Sequence, residues 1–180
     1  CETYEKGGAE IKELNYFRKK VQLTLLKGEA EEAIKMATIG LDQIDLSSYA
    51  YQQTFFKWWF YHALAEAFLM EYKYEYAFKI EHALERAQFY SQLLDSNKKF
   101  YYLQLRAVYM YYTGEREKAI AATNEALTLA QTSNYKMKKD SLIQQLKENL
   151  SVMHSDTPQA KDTLYSQIYT ADGLFNLPCM

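Results

Sequence analysis

Two stretches of the chain share one pattern, and that pattern limits the fold more than any other feature. Lys27-Gly28-Glu29-Ala30-Glu31-Glu32-Ala33-Ile34 is followed by Gly40-Leu41, and Thr113-Gly114-Glu115-Arg116-Glu117-Lys118-Ala119-Ile120 is followed by Ala126-Leu127. A Gly between two helical patterns can take a left-handed backbone conformation without the penalty of a β-carbon, so one helix stops and the next begins almost at once. Small residues one turn later let the two backbones approach closely. The pattern occurs twice, and a repeat of this kind points to stacked helical hairpins.

The rest of the chain agrees with long helices and short connections. Among 180 residues there are only 6 Gly and 2 Pro, against 17 Tyr and 9 Phe, so breakers are rare. Apolar residues recur every three or four positions in Ile11, Leu14, Phe17, Val21 and Leu25, which predicts a helix over 9–27. The return helix spans 29–41, with Ala33, Ile34, Ala37 and Leu41 inward. Asp45-Leu46-Ser47-Ser48 is a linker. An aromatic-rich helix over 49–70 is apolar almost all round and is expected at the centre of the packing. Further helices are predicted over 74–94, 98–113, 115–132 and 136–153, with Asp95-Ser96-Asn97 and Thr132-Ser133-Asn134 as stops. Ser155-Asp156-Thr157-Pro158 starts a last helix that ends near Asp172-Gly173. The domain reading is a lead-in over 1–8, a helical repeat domain over 9–172 and a tail over 173–180.

Composition excludes several classes. With 21 basic and 23 acidic residues, for a formal charge of -2, there is no concentrated basic face for nucleic acid phosphates. No apolar run is long enough to span a bilayer. Cys1 and Cys179 lie at opposite ends and offer no metal-binding spacing. His62, His82 and His154 do not sit at three- or four-residue spacing, so no metal or cofactor is expected. Glu29, Glu31, Glu32, Glu115 and Glu117 stand in first turns, where the helix dipole accounts for them. No phosphate loop or nucleophile motif is present, and the chain does not read as an enzyme. Tyr72-Lys73-Tyr74-Glu75-Tyr76 reads as the middle turn, with a recognition patch or phosphorylation site as the alternative.

The chain resembles the tetratricopeptide-repeat family, whose helix-turn-helix units stack into a right-handed superhelix. Tyr61, Leu64, Ala65, Phe68, Tyr74 and Ala77 carry the likeness in the middle hairpin, where Tyr72 stands in place of the turn Gly. Leu103, Ala107, Gly114, Ala119, Ala126 and Leu127 carry it in the third hairpin, and Phe17, Val21, Gly28, Ala33 and Leu41 in the first. Turns 44 and 42 residues apart (Gly28 to Tyr72, Tyr72 to Gly114) make this an extended repeat, longer than the usual unit of roughly 34 residues. The resemblance implies an all-α, right-handed alpha-alpha superhelix, a solenoid of about four helical hairpins.

It also implies a groove lined by first-helix residues: Asn15, Arg18 and Gln22, then Trp59, His62 and Glu66, then Tyr101, Gln104, Val108 and Tyr111. Such a mixture of aromatic, amide and charged groups suits a protein or peptide partner. The implied role is a binding module, a sensor or adaptor region of a larger bacterial signalling or regulatory protein. The alternative is a scaffold or self-association segment that forms a homodimer. Two compartments stand open: cytoplasmic, or an extracytoplasmic lipoprotein if Cys1 is a processed N-terminus.

Overall fold

The computed structural model describes residues 2–44, 50–94, 96–132, 139–161 and 164. Within them the chain is all-α. Seven helices follow in order: α1 (Glu2–Leu26), α2 (Ala30–Asp42), α3 (Tyr51–Met70), α4 (Ala77–Gln92), α5 (Ser96–Tyr112), α6 (Arg116–Thr132) and α7 (Lys139–Ser155). They fall into two compact units, Cys1–Leu94 with α1 to α4 and Asp95–Met180 with α5 to α7. Inside each unit a helix packs chiefly on its neighbours in sequence, α1 on α2, α2 on α3 and α3 on α4, then α5 on α6 and α6 on α7.

The two glycine turns are the same structure. Gly28 has φ +76° and Gly114 φ +87°. At the first, the Gly28 N–H bonds to the Leu25 carbonyl at 3.0 Å and the Glu29 N–H to the Thr24 carbonyl at 2.9 Å. At the second, the Gly114 N–H bonds to the Tyr111 carbonyl at 3.2 Å and the Glu115 N–H to the Met110 carbonyl at 2.8 Å. This crossed pair uses a left-handed Gly to satisfy the last carbonyls of the helix. Each return helix then opens on the same bond, Ala33 N–H to Glu29 and Ala119 N–H to Glu115, both at 3.0 Å.

The middle turn solves the same problem without glycine. Glu71 leaves α3 at φ −104°, ψ 40°, and the Tyr72 N–H bonds to the Leu69 carbonyl at 3.1 Å. A 3-10 turn over Tyr74–Tyr76 then leads into α4. No residue there needs a positive φ, so a tyrosine can stand where glycine is expected. A fourth turn lies 42 residues beyond Gly114, where Asp156 has φ 49° and its N–H bonds to the Val152 carbonyl at 3.1 Å. The sequence reading takes Ser155-Asp156-Thr157-Pro158 as a helix start. In the structure it first ends α7, with Asp156 in the left-handed position that glycine holds at the other two turns.

The core follows the expected spacing. Leu14, Val21 and Leu25 of α1, Ala33 and Ala37 of α2, Ile80, Leu84 and Ala87 of α4, Ala119 and Ala126 of α6, and Leu142 and Leu146 of α7 are buried. Helix α3 is buried on nearly every side, including Trp58, Trp59, Phe60 and Lys57. Gly40 explains how α2 approaches so close: a β-carbon there would come within 2.4 Å of the Phe60 ring. Two boundaries differ from expectation. Helix α1 begins at Glu2, ahead of position 9, and Ser96 and Asn97 open α5, since a Ser or Asn between helices signals a start as readily as a stop. The linker 45–48, the residues 133–138 and the tail 173–180 lie outside the described residues.

Candidate functional site

In the first unit the expected groove residues share one inner face. Trp59, His62 and Glu66 follow at three- and four-residue steps on α3, which puts them on the same side of the helix. Arg18 of α1 crosses to meet Trp59, its guanidinium carbon 5.9 Å from the centre of the ring. Its Nε donates to Asn15 Oδ1 at 3.4 Å. The His62 ring lies 5.7 Å from Trp58. Arg18, Trp59, His62 and Glu66 are all buried, while Asn15 and Gln22 are half-buried. In the second unit Tyr101, Gln104, Val108 and Tyr111 of α5 are buried as well.

Glu66 is the anomaly of this face. Its carboxyl group is fully buried, and neither oxygen has a hydrogen-bond partner among the described residues. Burial pushes its pKa from 4.5 up to about 8, because the charged form loses water and gains nothing in return. The Trp59 indole Nε1–H is buried and has no hydrogen-bond partner among the described residues either. Groups of this kind are few in folded proteins, and each one calls for a reason.

The second unit also buries unmatched polar atoms, Gln104 Nε2 and Asn149 Oδ1 among the described residues, but other polar groups of it make bonds across long stretches of chain. Tyr111 donates its hydroxyl to Asp156 Oδ1 at the end of α7. Burial and that bond together push the phenol up to about 12. Tyr112 donates to the Lys161 carbonyl at 3.2 Å. Arg116, the first residue of α6, donates from Nε to the Met153 carbonyl at 2.8 Å and from a terminal nitrogen to the His154 carbonyl at 2.6 Å. A cation on the last carbonyls of a helix satisfies them and opposes the dipole. These residues fasten α7 to the α5–α6 hairpin.

A further cluster went unread in the sequence. Arg86 of α4 lies 5.8 Å from the Tyr61 ring centre and 5.4 Å from that of Tyr90, and its terminal nitrogen donates to the Tyr90 hydroxyl at 3.1 Å. Tyr61 and Tyr90 stack at 6.0 Å, and Lys57 Nζ lies 5.6 Å from the Tyr90 ring centre. His82, Arg86 and Tyr90 run at steps of four on α4, as Lys57 and Tyr61 do on α3, so the spacing itself carried the signal. An open hollow of about 530 Å³ lies at the first turn, lined by Glu29, Glu31, Glu32, Lys35 and Glu71. Among the described residues no group of three or more His, Cys, Asp or Glu could hold a metal ion. No described helix is long and apolar enough to cross a membrane.

Comparison with protein-family models, with curated proteins and with solved structures finds no match to this chain.

Proposed function

We propose that this chain is a protein- or peptide-binding module of the tetratricopeptide-repeat type. In this reading its hairpins stack as a right-handed superhelix, and the module serves as a sensor or adaptor region of a larger bacterial signalling or regulatory protein. Turns at a near-constant interval and neighbour-on-neighbour packing support the stacking. The observation that carries the binding role is the inner face of the first unit, where Glu66 is buried with no hydrogen-bond partner among the described residues and the Trp59 indole, next to Arg18, leaves its Nε1–H unmatched. An unmatched carboxyl group in a dry interior costs stability, and a partner that brings hydrogen-bond donors recovers that cost.

The face is covered in the free chain, so binding is coupled to its opening. That coupling lowers the apparent affinity by the fraction of molecules that are open. A partner with a Lys, an Arg or free backbone N–H groups would return Glu66 to its carboxylate form, and a proton would leave near neutral pH. Peptides selected from a displayed library against the whole chain provide the test, by titration calorimetry at pH 7 in two buffers of different ionisation enthalpy. Proton release is expected with the parent and not with Glu66→Gln, which should bind at least about tenfold more weakly. Equal affinity and no proton release in either protein would rule this site out.

A further inference from the structure

Two outward helix faces of the first unit remain unused by that reading, and they match each other. On α1 the exposed arc carries Tyr16, Leu23 and Leu26, each more than half exposed. Around them stand Lys12, Lys19, Lys20 and Lys27, with Glu13 the one acid between positions 12 and 27. On α4 and its cap the exposed arc carries Phe78, at 81% exposure, with Phe89 and Leu93. Glu81 and Glu85 flank these side chains and are exposed.

The charges on the α4 face are unevenly committed. Its cations already lie on aromatic rings of their own unit: Lys79 Nζ is 5.2 Å from the Tyr76 ring centre and 5.5 Å from that of Phe68, and Arg86 is held by Tyr61 and Tyr90. His82 stands edge-on to Tyr61 at 6.2 Å. Glu81 and Glu85 have no ion pair among the described residues. On α1, Lys20 is turned onto Tyr16, 4.8 Å from its ring centre, while Lys12, Lys19 and Lys27 have no ion pair among the described residues. One face therefore offers free ammonium groups and the other free carboxylates.

The order along the two helices also agrees. From Tyr16 through Lys19 and Lys20 to Leu23 and Leu26, α1 reads apolar, charged, apolar. From Phe78 through Glu81 and Glu85 to Phe89, α4 reads the same with the opposite sign. Both arcs, 12–27 and 78–93, are about 22 Å long at 1.5 Å per residue. We propose that the lysine-rich face of α1 in one copy docks on the glutamate-flanked aromatic face of α4 in a second copy. Every chain carries both faces, so each copy offers one to a neighbour and receives the other. An anionic lipid surface would suit α1 alone and leave the carboxylates and aromatic rings of the α4 face uncovered, whereas a second copy meets both faces.

The test uses the whole chain and surface variants that leave the core untouched. Sedimentation equilibrium from about 1 to 200 µM should show self-association with a dissociation constant on the order of tens of micromolar, weakened by salt. The double variant Lys19→Glu, Lys20→Glu and the double variant Glu81→Lys, Glu85→Lys should each self-associate at least about tenfold more weakly. An equal mixture of the two should recover the parental affinity, because both contacts between the two variants regain opposite charges. Phe78→Ser should weaken the association with unchanged circular dichroism. A parent that stays monomeric at the highest concentration overturns the proposal, and so does a mixture no stronger than its components. Binding of the monomeric parent to phosphatidylserine vesicles, lost on Lys19→Glu, Lys20→Glu, would assign the α1 face to a membrane surface instead.

Discussion

The glycine turns of the two units are closed by the same hydrogen bonds, yet the first unit buries a carboxyl group with no hydrogen-bond partner among the described residues, while the second ties distant elements together through Tyr111, Tyr112 and Arg116. In the second unit Tyr111, Tyr112 and Arg116 each reach across 37 or more residues to the end of α7 or the residues beyond it. In the first, Glu66 sits in the middle of the most deeply buried helix with no hydrogen-bond partner for either oxygen among the described residues. A bond across that distance holds two elements in place. A buried carboxyl group without one costs stability and holds nothing. Gln104 Nε2 and Asn149 Oδ1 of the second unit are also buried and unmatched among the described residues, so what separates the units is an unpaired ionisable group in the first and bonds across long stretches of chain in the second.

The sharpest way to break this comparison is to remove the charge of Glu66 and leave its shape. Its folded pKa, about 8, lies above the ordinary 4.5, so the folded state holds the proton more tightly than the unfolded chain. The contribution of the neutral form is fully present below about pH 4.5 and is lost as the pH rises through about 8. Stability of the parent should therefore fall over that window by an amount on the order of a few kcal/mol. Glu66→Gln should flatten the fall and be the more stable protein at pH 9. Denaturant midpoints of both proteins from pH 5 to pH 9 give the answer. Parallel curves would mean that the carboxyl group is hydrated or paired, and the contrast between the units would go with it.

Two buried positions at matching places in the hairpins come next. Gly40 and Ala126 stand at the same distance beyond Gly28 and Gly114, and both are buried. Gly40 faces the Phe60 ring, which is itself fully buried and has nowhere to go. Gly40→Ala should cost about 1–3 kcal/mol of overpacking, less the ~1 kcal/mol that Ala gains over Gly in a helix. Ala126→Gly loses that helix preference together with a buried methyl group and should cost about 1–2 kcal/mol. Both variants should thus lower the thermal midpoint, although the substitutions run in opposite directions. A stabilised Gly40→Ala would show that α2 and α3 have room to separate.

How far the sequence carried this picture depends on the range of the interaction. The turns at Gly28 and Gly114 were legible because the backbone demand and the residue that meets it lie at one position. The turn at Tyr72 was legible by interval, and the 3-10 exit explains why it needs no glycine. Asp156 was read as a helix start because capping residues serve starts and some stops alike. Helical period placed Trp59, His62 and Glu66 on one side of α3, but it says nothing about what lies over that side, so their burial could not be read. The bonds from Tyr111 to Asp156 and from Arg116 to α7 leave no local pattern, since each partner is ordinary in its own surroundings.

The smallest effect is expected where the second unit departs from glycine. Asp156 in the left-handed region costs about 1 kcal/mol relative to Gly, and its charge stands at the negative end of α7, where the dipole disfavours it. Against this it accepts the Tyr111 hydroxyl, and a hydrogen bond to a charged acceptor returns about 1.5–3 kcal/mol. Asp156→Gly should therefore shift stability by less than about 1 kcal/mol, because the relieved backbone offsets most of the lost bond. Tyr111→Phe keeps the strained turn and loses the bond, so it should cost about 1–2 kcal/mol in the parent. In the Asp156→Gly background the same change should cost almost nothing. A double-mutant cycle on these two positions measures the coupling directly. A coupling near zero would show that the bond does not fasten α7, and the second unit would lose one of the contacts that set it apart from the first.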